Sequence, residues 1–183
     1  MDVEIYPVKL IGQGHLYVMP CPQAPQLERD LNQLRDLGIH KIVSLLEVSE
    51  AERLGVADES VMCERLGISF RQFPIRDHKT PVDPVKFRQL IDELEQELRA
   101  GQHIVVHCFA GIGRTGLVAG ALLINDGLSM AAATDLLSDI RGSVVPQTHA
   151  QSNYLIDYEA GEEIKIKPPA KEKNWFTRWL LPA

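Results

Sequence analysis

The segment from Ile104 to Gly120, IVVHCFAGIGRTGLVAG, constrains the fold of this chain more than any other part of the sequence. It begins with a short β-branched run, which is typical of a central parallel strand that is buried on both faces. A glycine-rich loop follows, and the apolar residues from Thr115 onward predict a helix. A strand, a loop and a helix N-terminus in this order predict a sheet with helices packed against it.

The periodicity of the remaining sequence extends this sheet and its helices. Predicted strands cover residues 15–20, 41–46, 68–75 and 103–107. Predicted helices cover residues 26–37, 58–66, 84–100, 115–126, about 130–140, and 147–160. Strands separated by helices in the first half, with helices clustered in the second half, predict an α/β fold. We expect a single domain with a mixed, mostly parallel central sheet flanked by helices.

The length of the chain suits one domain followed by a short tail. Its 183 residues are enough to bury a hydrophobic core, which we expect within residues 1–163. Residues 164–183 combine a charged, proline-containing linker with a segment that contains two tryptophans. We expect this tail to pack on the domain or on a partner, with a membrane surface as the alternative.

Charge and cysteine content argue against several classes of protein. A formal net charge of −6 disfavours nucleic-acid binding, which needs a basic face. Three cysteines do not make a disulfide framework, and the N-terminus does not read as a signal peptide, so we expect a cytoplasmic protein. No apolar run reaches the length of a membrane span. Because CxxC and HExxH patterns are absent, we expect no metal site and no other cofactor.

The loop between the central strand and the following helix has the features of an anion-binding site. Successive backbone N–H groups and the positive end of a helix both attract a negatively charged ligand. Gly111, Gly113 and Gly116 permit close approach of the backbone and, where required, a positive φ. Arg114 is permanently charged and can hold two oxygens of one phosphate. The lysine of a nucleotide P-loop does not follow these glycines, so the loop is of a different kind.

Cys108 stands at the start of this loop, and its position predicts a nucleophile. A thiol ordinarily titrates at about pH 8.5, but N–H donors, a guanidinium and a helix N-terminus lower that pKa. Attack of the thiolate on a phosphate monoester would form a cysteinyl-phosphate intermediate. We expect His107 to hold loop carbonyls, and Thr115 to offer its hydroxyl to the sulfur as the sulfur departs.

A leaving oxygen needs a proton, so the site requires a general acid from another segment. Asp77, in the loop sequence FPIRDHKTP after a predicted strand, is the first candidate. Asp83 is the second, although its position better suits it to capping the helix that begins at Pro84. Gln147 and Gln151 are candidates for orienting the water of the second step, and are otherwise ordinary residues of a helix start.

The run 107–116, HCFAGIGRTG, resembles the HCxxGxxRTG signature of the cysteine-based protein phosphatases. With Asp77 upstream, residues 10–160 resemble a small dual-specificity phosphatase, and the segments PIRDHKTP and RTGLVAGALL are similar to the kinase-associated type. The resemblance implies a protein-tyrosine-phosphatase-like fold and the hydrolysis of phosphotyrosine, phosphoserine or phosphothreonine in proteins. It implies Cys108 as nucleophile, Asp77 as general acid and Arg114 as phosphate ligand. It also implies phosphate binding by the backbone amides of the loop residues Phe109, Ala110, Gly111, Ile112, Gly113 and Arg114.

Other functions remain open at this point. A catalytically weak phosphate-binding module would keep the same loop, although the joint presence of Cys108, Arg114 and Asp77 argues against it. The acidic charge disfavours an RNA 5′-phosphatase on the same scaffold. The spacing from cysteine to arginine suits phosphate better than rhodanese-like sulfur transfer. We expect Cys21 and Cys63 to be ordinary small hydrophobic residues, with a redox partner of Cys108 as the alternative.

Overall fold

The computed structural model of the chain describes residues 2–161, in which five strands form one sheet. The strands are β1 (Tyr6–Ile11), β2 (Gly14–Met19), β3 (Lys41–Ser44), β4 (Ser69–Gln72) and β5 (Ile104–His107), and their spatial order is β1-β2-β5-β3-β4. The pairs β2–β5, β5–β3 and β3–β4 are parallel, whereas β1 is antiparallel to β2. The mixed, mostly parallel sheet is therefore confirmed, with β5 at its centre. The tail predicted at 164–183 lies outside the described residues.

Seven α-helices flank the sheet in the described part of the chain. They are α1 (Leu27–Asp36), α2 (Val48–Leu54), α3 (Glu59–Arg65), α4 (Pro84–Arg99), α5 (Gly113–Asn125), α6 (Met130–Arg141) and α7 (His149–Glu159). Six of them lie where the hydrophobic periodicity predicts a helix. Within residues 2–161, no helix combines the length and apolar character that crossing a membrane requires.

The central strand β5 faces two hydrophobic cores, because successive side chains of a strand point to opposite faces of the sheet. Ile104 and Val106 pack with the apolar faces of α4, α5, α6 and α7. Val105 packs on the opposite face with residues of α1 and α3. The apolar residues that set the period of α4 are all buried, namely Phe87, Leu90, Ile91, Leu94 and Leu98. Helices on both faces hold β5 rigidly, and with it the loop that follows.

The structure adds two elements that the sequence patterns do not predict. β1 is an edge strand that contains Pro7, and its register shifts between Pro7 and Lys9. Proline and an irregular register are tolerated at a sheet edge, where they weaken the strand pattern in the sequence. α2 has only seven residues, and a reciprocal capping arrangement between Glu47 and Glu50 fixes its start. β1 buries only Ile11 and α2 buries only Glu50, so neither element shows a hydrophobic period in the sequence.

Two predicted strands are shorter than expected. The strand predicted over 41–46 ends at Ser44, and the one predicted over 68–75 covers only Ser69–Gln72. Ser44 and Gln72 are paired with each other at the ends of β3 and β4. The chain beyond Gln72 then leaves the sheet edge and becomes the loop that carries Asp77.

Candidate active site

The loop that follows β5 places Cys108 at the end of the central strand and at the start of α5. The Cys108 side chain is 3% exposed, and Ile112 is the N-cap of α5. Gly111 has a φ of 68°, and a Cβ atom there would lie 2.3 Å from the Met19 carbonyl oxygen. Only glycine fits this position, because both the backbone conformation and the space exclude a side chain. The loop is therefore folded tightly over the end of β2.

The first three carbonyls of the loop, those of residues 108–110, are all bound by groups outside it. The Cys108 carbonyl lies 3.2 Å from His107 Nδ1, the Cys21 N–H donates to the Phe109 carbonyl (2.9 Å), and Arg141 Nη2 donates to the Ala110 carbonyl (3.0 Å). In a trans peptide the N–H points away from the C=O. The N–H groups that follow these carbonyls therefore turn to the inner side of the loop. A run of inward N–H groups makes an anion-binding concavity.

The environment of the Cys108 thiol lowers its pKa. Burial is the largest single influence and raises the pKa. The Thr115 hydroxyl, the Arg114 guanidinium and the backbone N–H groups of Thr115 and Gly111 act in the opposite direction and together prevail. Among the described residues, the buried Thr115 hydroxyl forms no other hydrogen bond. The site therefore favours a thiolate beside a hydroxyl that can donate to it.

Arg114 is almost completely enclosed, with 1% of its side chain exposed. Its Nη1 donates to Glu50 Oε2 (2.7 Å) and to the Ile75 carbonyl (3.0 Å), and its Nη2 donates to Glu50 Oε1 (3.2 Å). Nη2 also lies 3.1 Å from Asp77 Oδ1. Nε is buried and has no hydrogen-bond partner within residues 2–161. The guanidinium is thus fixed in orientation and keeps one N–H donor for a further acceptor.

The structure separates the two candidates for general acid. Asp77 lies at the mouth of the site, in contact with Arg114, with half of its side chain exposed. Asp83 accepts a hydrogen bond from the Lys86 N–H (3.0 Å) and is the N-cap of α4. Its capping position, preferred from the sequence, is confirmed. Asp77 is therefore the carboxyl group that remains available beside the loop.

Gln147 and Gln151 both lie against the last turn of the loop. A Cβ atom on Gly113 would be 3.0 Å from Oε1 of each glutamine, so the missing side chain makes room for both. Gln151 is fully buried and forms a capping box with Thr148 at the start of α7. Its Nε2 also donates to the Lys79 carbonyl (3.2 Å). Gln151 therefore joins the helix start, the loop and the Asp77 segment.

His107 lies behind the nucleophile candidate and is fully buried. Its Nδ1 is 3.2 Å from the Cys108 carbonyl oxygen, and its Nε2 is 3.2 Å from Glu59 Oε1 on α3. Burial lowers the pKa of His107, but the carboxylate of Glu59 and the side chain of Cys21 raise it to about 10. The expected contact between His107 and a loop carbonyl is thus present.

Three further residues contact the site, and the sequence patterns single out none of them for it. Glu50 binds Arg114, Glu59 contacts His107, and Arg141 binds the Ala110 carbonyl. The Arg141 guanidinium also lies 3.8 Å from the centre of the Tyr6 ring. Each contact joins residues that are more than thirty positions apart in the chain, apart from any motif. The only local signal is the capping arrangement that includes Glu50.

The other two cysteines differ from Cys108. Cys63 is fully buried within the core on the α1 and α3 side, and burial raises the pKa of its thiol to about 12. Cys21 is partly exposed, and its Sγ donates to the Pro22 carbonyl (3.3 Å). Cys63 therefore has the environment of a structural residue. Within residues 2–161, no group of three or more potential ligand side chains is arranged to hold a metal ion.

Comparison with known proteins identifies the family to which this fold and loop belong. A family model described as "Polymorphic toxin system, DSP-PTPase phosphatase" matches residues 19–128. Cyclin-dependent kinase inhibitor 3 of Homo sapiens is 32% identical over 134 residues, which is 72% of this chain and 63% of that protein. The protein of the same name from Rattus norvegicus is 31% identical over the same lengths. The matched region thus spans less than two thirds of these relatives.

Solved structures agree with the family match. Kinase associated phosphatase, with its catalytic-site cysteine replaced by serine, superposes with a TM-score of 0.81 at 27% identity, covering 88% of this chain and 96% of that one. Tk-PTP in its active form has a TM-score of 0.69 at 22% identity, covering 85% and 97%, which is a likeness of fold. The chain belongs to the DSP-PTPase phosphatase family. The resemblance drawn from the HCFAGIGRTG segment is confirmed.

Proposed function

We propose that this chain is a cysteine-dependent phosphoric monoester hydrolase that removes phosphate from tyrosine, or from serine and threonine, in proteins. One observation carries the proposal: a thiol with a lowered pKa lies inside a loop whose first three carbonyls are held outward. That arrangement leaves N–H donors around the sulfur, in the geometry that a phosphate group requires. A thiolate and an anion receptor within one loop suit covalent attack on phosphorus.

In the first step, the Cys108 thiolate attacks phosphorus, so that an S–P bond forms while the P–O ester bond breaks. Asp77, as a carboxylic acid, gives its proton to the departing oxygen. Its position 3.1 Å from Arg114 keeps it at the edge of the phosphate site. Arg114 and the inward amides of residues 109–114 stabilise the negative charge on the three phosphate oxygens. The product is a dephosphorylated hydroxyl group and a cysteinyl phosphate.

In the second step, water attacks the cysteinyl phosphate, and the S–P bond breaks as a new P–O bond forms. Asp77, now a carboxylate, takes a proton from that water. Gln147 and Gln151 orient the water, because their side-chain oxygens both lie beside Gly113. The Thr115 hydroxyl donates to the departing sulfur and stabilises the regenerated thiolate.

The relatives support a protein substrate. Cyclin-dependent kinase inhibitor 3 and kinase associated phosphatase carry names that place them with kinases, and the family model is described as a phosphatase. By extension we assign this chain a phosphorylated protein as its partner. A cytoplasmic location suits the enzyme, since all three cysteines are free and the proposed nucleophile must stay reduced.

The proposal is tested by steady-state hydrolysis in the presence of a chelator. The substrates are matched phosphotyrosine, phosphothreonine and phosphoserine peptides, p-nitrophenyl phosphate and a short RNA 5′-triphosphate. We expect turnover of at least one peptide, loss of that turnover in Cys108→Ser with peptide capture retained, and near-normal turnover in the control Cys63→Ala. Appreciable activity in Cys108→Ser would refute the assigned nucleophile. Peptide binding without turnover would indicate a phosphate-binding module, and turnover of RNA alone an RNA 5′-phosphatase.

A further inference from the structure

Glu59 is a buried carboxylate that the steps above do not use. It is the first residue of α3 and is 2% exposed, on the side of the sheet away from the helix that follows the loop. Its Oε1 lies 3.2 Å from Nε2 of His107, which is itself fully buried. A buried carboxylate is costly unless a positive group or hydrogen-bond donors compensate it. The compensating group here is the residue that directly precedes the nucleophile.

The two ring nitrogens of His107 both face oxygen acceptors. Nε2 lies 3.2 Å from Glu59 Oε1, an ion-pair distance at which neither atom forms a hydrogen bond within residues 2–161, and Nδ1 lies 3.2 Å from the carbonyl oxygen of Cys108. A neutral imidazole carries one N–H and one lone pair, so one of these contacts would place a lone pair against an oxygen. The doubly protonated ring avoids this, and its positive charge compensates the buried Glu59 carboxylate at 3.2 Å. The surroundings therefore select an imidazolium at this position.

We propose that Glu59 is a positioning residue for the nucleophile: it holds His107 as an imidazolium whose Nδ1–H fixes the Cys108 carbonyl. This inference rests on the proposed function, since it concerns how the thiolate of that reaction is prepared. With the carbonyl held toward the sheet, the N–H of Phe109 on the same peptide plane turns into the loop. The imidazolium also adds a positive charge behind the sulfur, which favours the thiolate over the thiol.

Few other ionisable groups bear on the ring. Glu59 comes from α3, the Cys21 side chain comes from the segment after β2, and Cys108 follows in the loop itself. Attraction to Glu59 and contact with Cys21 raise the pKa of His107 to about 10, against burial, which is the largest influence and lowers it. The ring therefore stays charged through the neutral range, in agreement with the geometry. Arg114 stabilises the thiolate independently, as the second cation.

The test compares Glu59→Gln with Glu64→Gln, the same change at an exposed position of the same helix. Glutamine keeps the size and an acceptor oxygen but removes the charge that holds the imidazolium. The readout is the rate of alkylation of Cys108 by iodoacetamide from pH 4 to 9, measured by mass spectrometry of the peptide that contains it. For Glu59→Gln we expect alkylation about tenfold slower at pH 6, the factor that one unit of thiol pKa produces. Glu59→Asp keeps the charge, so its rate of Cys108 alkylation should lie between the rates of Glu59→Gln and of the unchanged chain.

Alkylation of Glu59→Gln at the unchanged rate, or equal slowing in Glu64→Gln, would overturn the proposal. Nitrogen-15 NMR of the histidine rings in the unchanged chain provides a second measurement that does not depend on the folding of a variant. An imidazolium signal for His107 at pH 8 supports the proposal, and a neutral ring overturns it. Alkylation of Cys108 needs no substrate, so it tests the role of Glu59 independently of the proposed hydrolase activity. If Glu59→Gln slowed the alkylation of Cys108 but the unchanged chain hydrolysed no substrate, the proposed role of Glu59 would stand and the proposed hydrolase activity would be refuted.

Discussion

Asp77 Oδ1 lies 3.1 Å from Arg114 Nη2, although one of these side chains is half exposed and the other is almost fully buried. The contact joins a loop at the end of β4 to the first turn of α5. It places a half-exposed carboxyl group beside the buried guanidinium. Arg114 is also held by Glu50 from the opposite side. The guanidinium thus connects a half-exposed acidic partner with a buried one.

Replacement of Asp77, the exposed partner of Arg114, separates acid catalysis from phosphate binding. In Asp77→Ala, we expect kcat on phosphopeptides to fall by a factor of about 100, the scale of general acid catalysis. The loss on p-nitrophenyl phosphate should be much smaller, because its leaving group departs without a proton. The measurement is the ratio of the two kcat values in the variant and in the unchanged chain. Equal losses on both substrates would contradict the role of Asp77.

Replacement of Glu50, the buried partner of Arg114, should affect both stability and activity. Glu50→Gln leaves the Arg114 cation buried with a weaker acceptor, so we expect the free energy of unfolding to fall by about 3 kcal/mol. Phosphopeptide turnover should fall with it, because the guanidinium loses its fixed orientation. Glu52→Gln, at an exposed position of the same helix, is the matched control. Urea denaturation measures the first effect, and an unchanged unfolding midpoint in Glu50→Gln would refute the assigned role.

The ion pair between Glu50 and Arg114 predicts that the protein loses stability in acid. Burial, the largest influence, raises the pKa of Glu50, but hydrogen bonding and attraction to Arg114 prevail and hold it below the ordinary value of 4.5. The stabilisation is therefore present above pH 4.5 and is lost as the pH falls through the lower value in the folded state. The unfolding midpoints of Glu50→Gln and of the unchanged chain should converge in that acidic range.

Gly111→Ala should disrupt the loop beyond the effect of backbone strain. Gly111 and Gly67 have similar positive φ angles, 68° and 73°, but a Cβ atom on Gly67 meets nothing within 4 Å. Gly67→Ala should therefore cost only the strain of an L-residue in this conformation, about 1 kcal/mol. Gly111→Ala adds a collision with the Met19 carbonyl and should abolish turnover. Calorimetry and hydrolysis of p-nitrophenyl phosphate measure both variants, and equal effects would disprove the steric argument.

A cluster of three histidines at the opposite end of the sheet predicts a loss of stability in mild acid. His103 Nδ1 accepts from the His15 N–H (2.9 Å), and His40 Nδ1 accepts from the His103 N–H (2.9 Å). Burial, followed by repulsion from His40 and His15, lowers the pKa of His103 below 6.5. The unfolded chain therefore binds more protons than the folded one as the pH falls through 6.5, and stability decreases.

His103→Asn tests this dependence, because the amide oxygen of asparagine can accept from the His15 N–H but cannot be protonated in this pH range. The difference in melting temperature between pH 7.5 and pH 5.5 should be smaller in His103→Asn than in the unchanged chain. His149→Asn, which replaces a histidine at the start of α7 outside the cluster, is the control. An equal pH dependence in all three proteins would show that the cluster does not contribute.

The sequence predicts most of the fold because long amphipathic periods report burial directly. The period of α4 and the β-branched run of β5 locate their core faces correctly. β1 and α2 escape prediction because β1 buries a single apolar side chain, that of Ile11, and α2 buries none. Tertiary packing, and not local propensity, stabilises elements of this kind.

The same distinction applies to the site. Cys108, Arg114 and Thr115 lie within one continuous motif, so their proximity follows from the chain itself. Glu50, Glu59 and Arg141 reach the loop through the arrangement of α2, α3 and α6, which no local pattern encodes. Glutamate and arginine at these positions look like solvated surface residues until the structure places them at a buried partner.

The outward carbonyls of the loop have a consequence for any attempt to transplant it. Their three partners come from the end of β5, the segment after β2 and the last residue of α6. Two of these partners, Cys21 and Arg141, lie outside the ten-residue motif, so the shape of the loop depends on the scaffold as well as on the motif. A synthetic peptide with the sequence HCFAGIGRTG should bind phosphate no better than an unstructured chain of equal charge. A graft of the motif into another fold would also need donors that replace the Cys21 N–H and the Arg141 guanidinium.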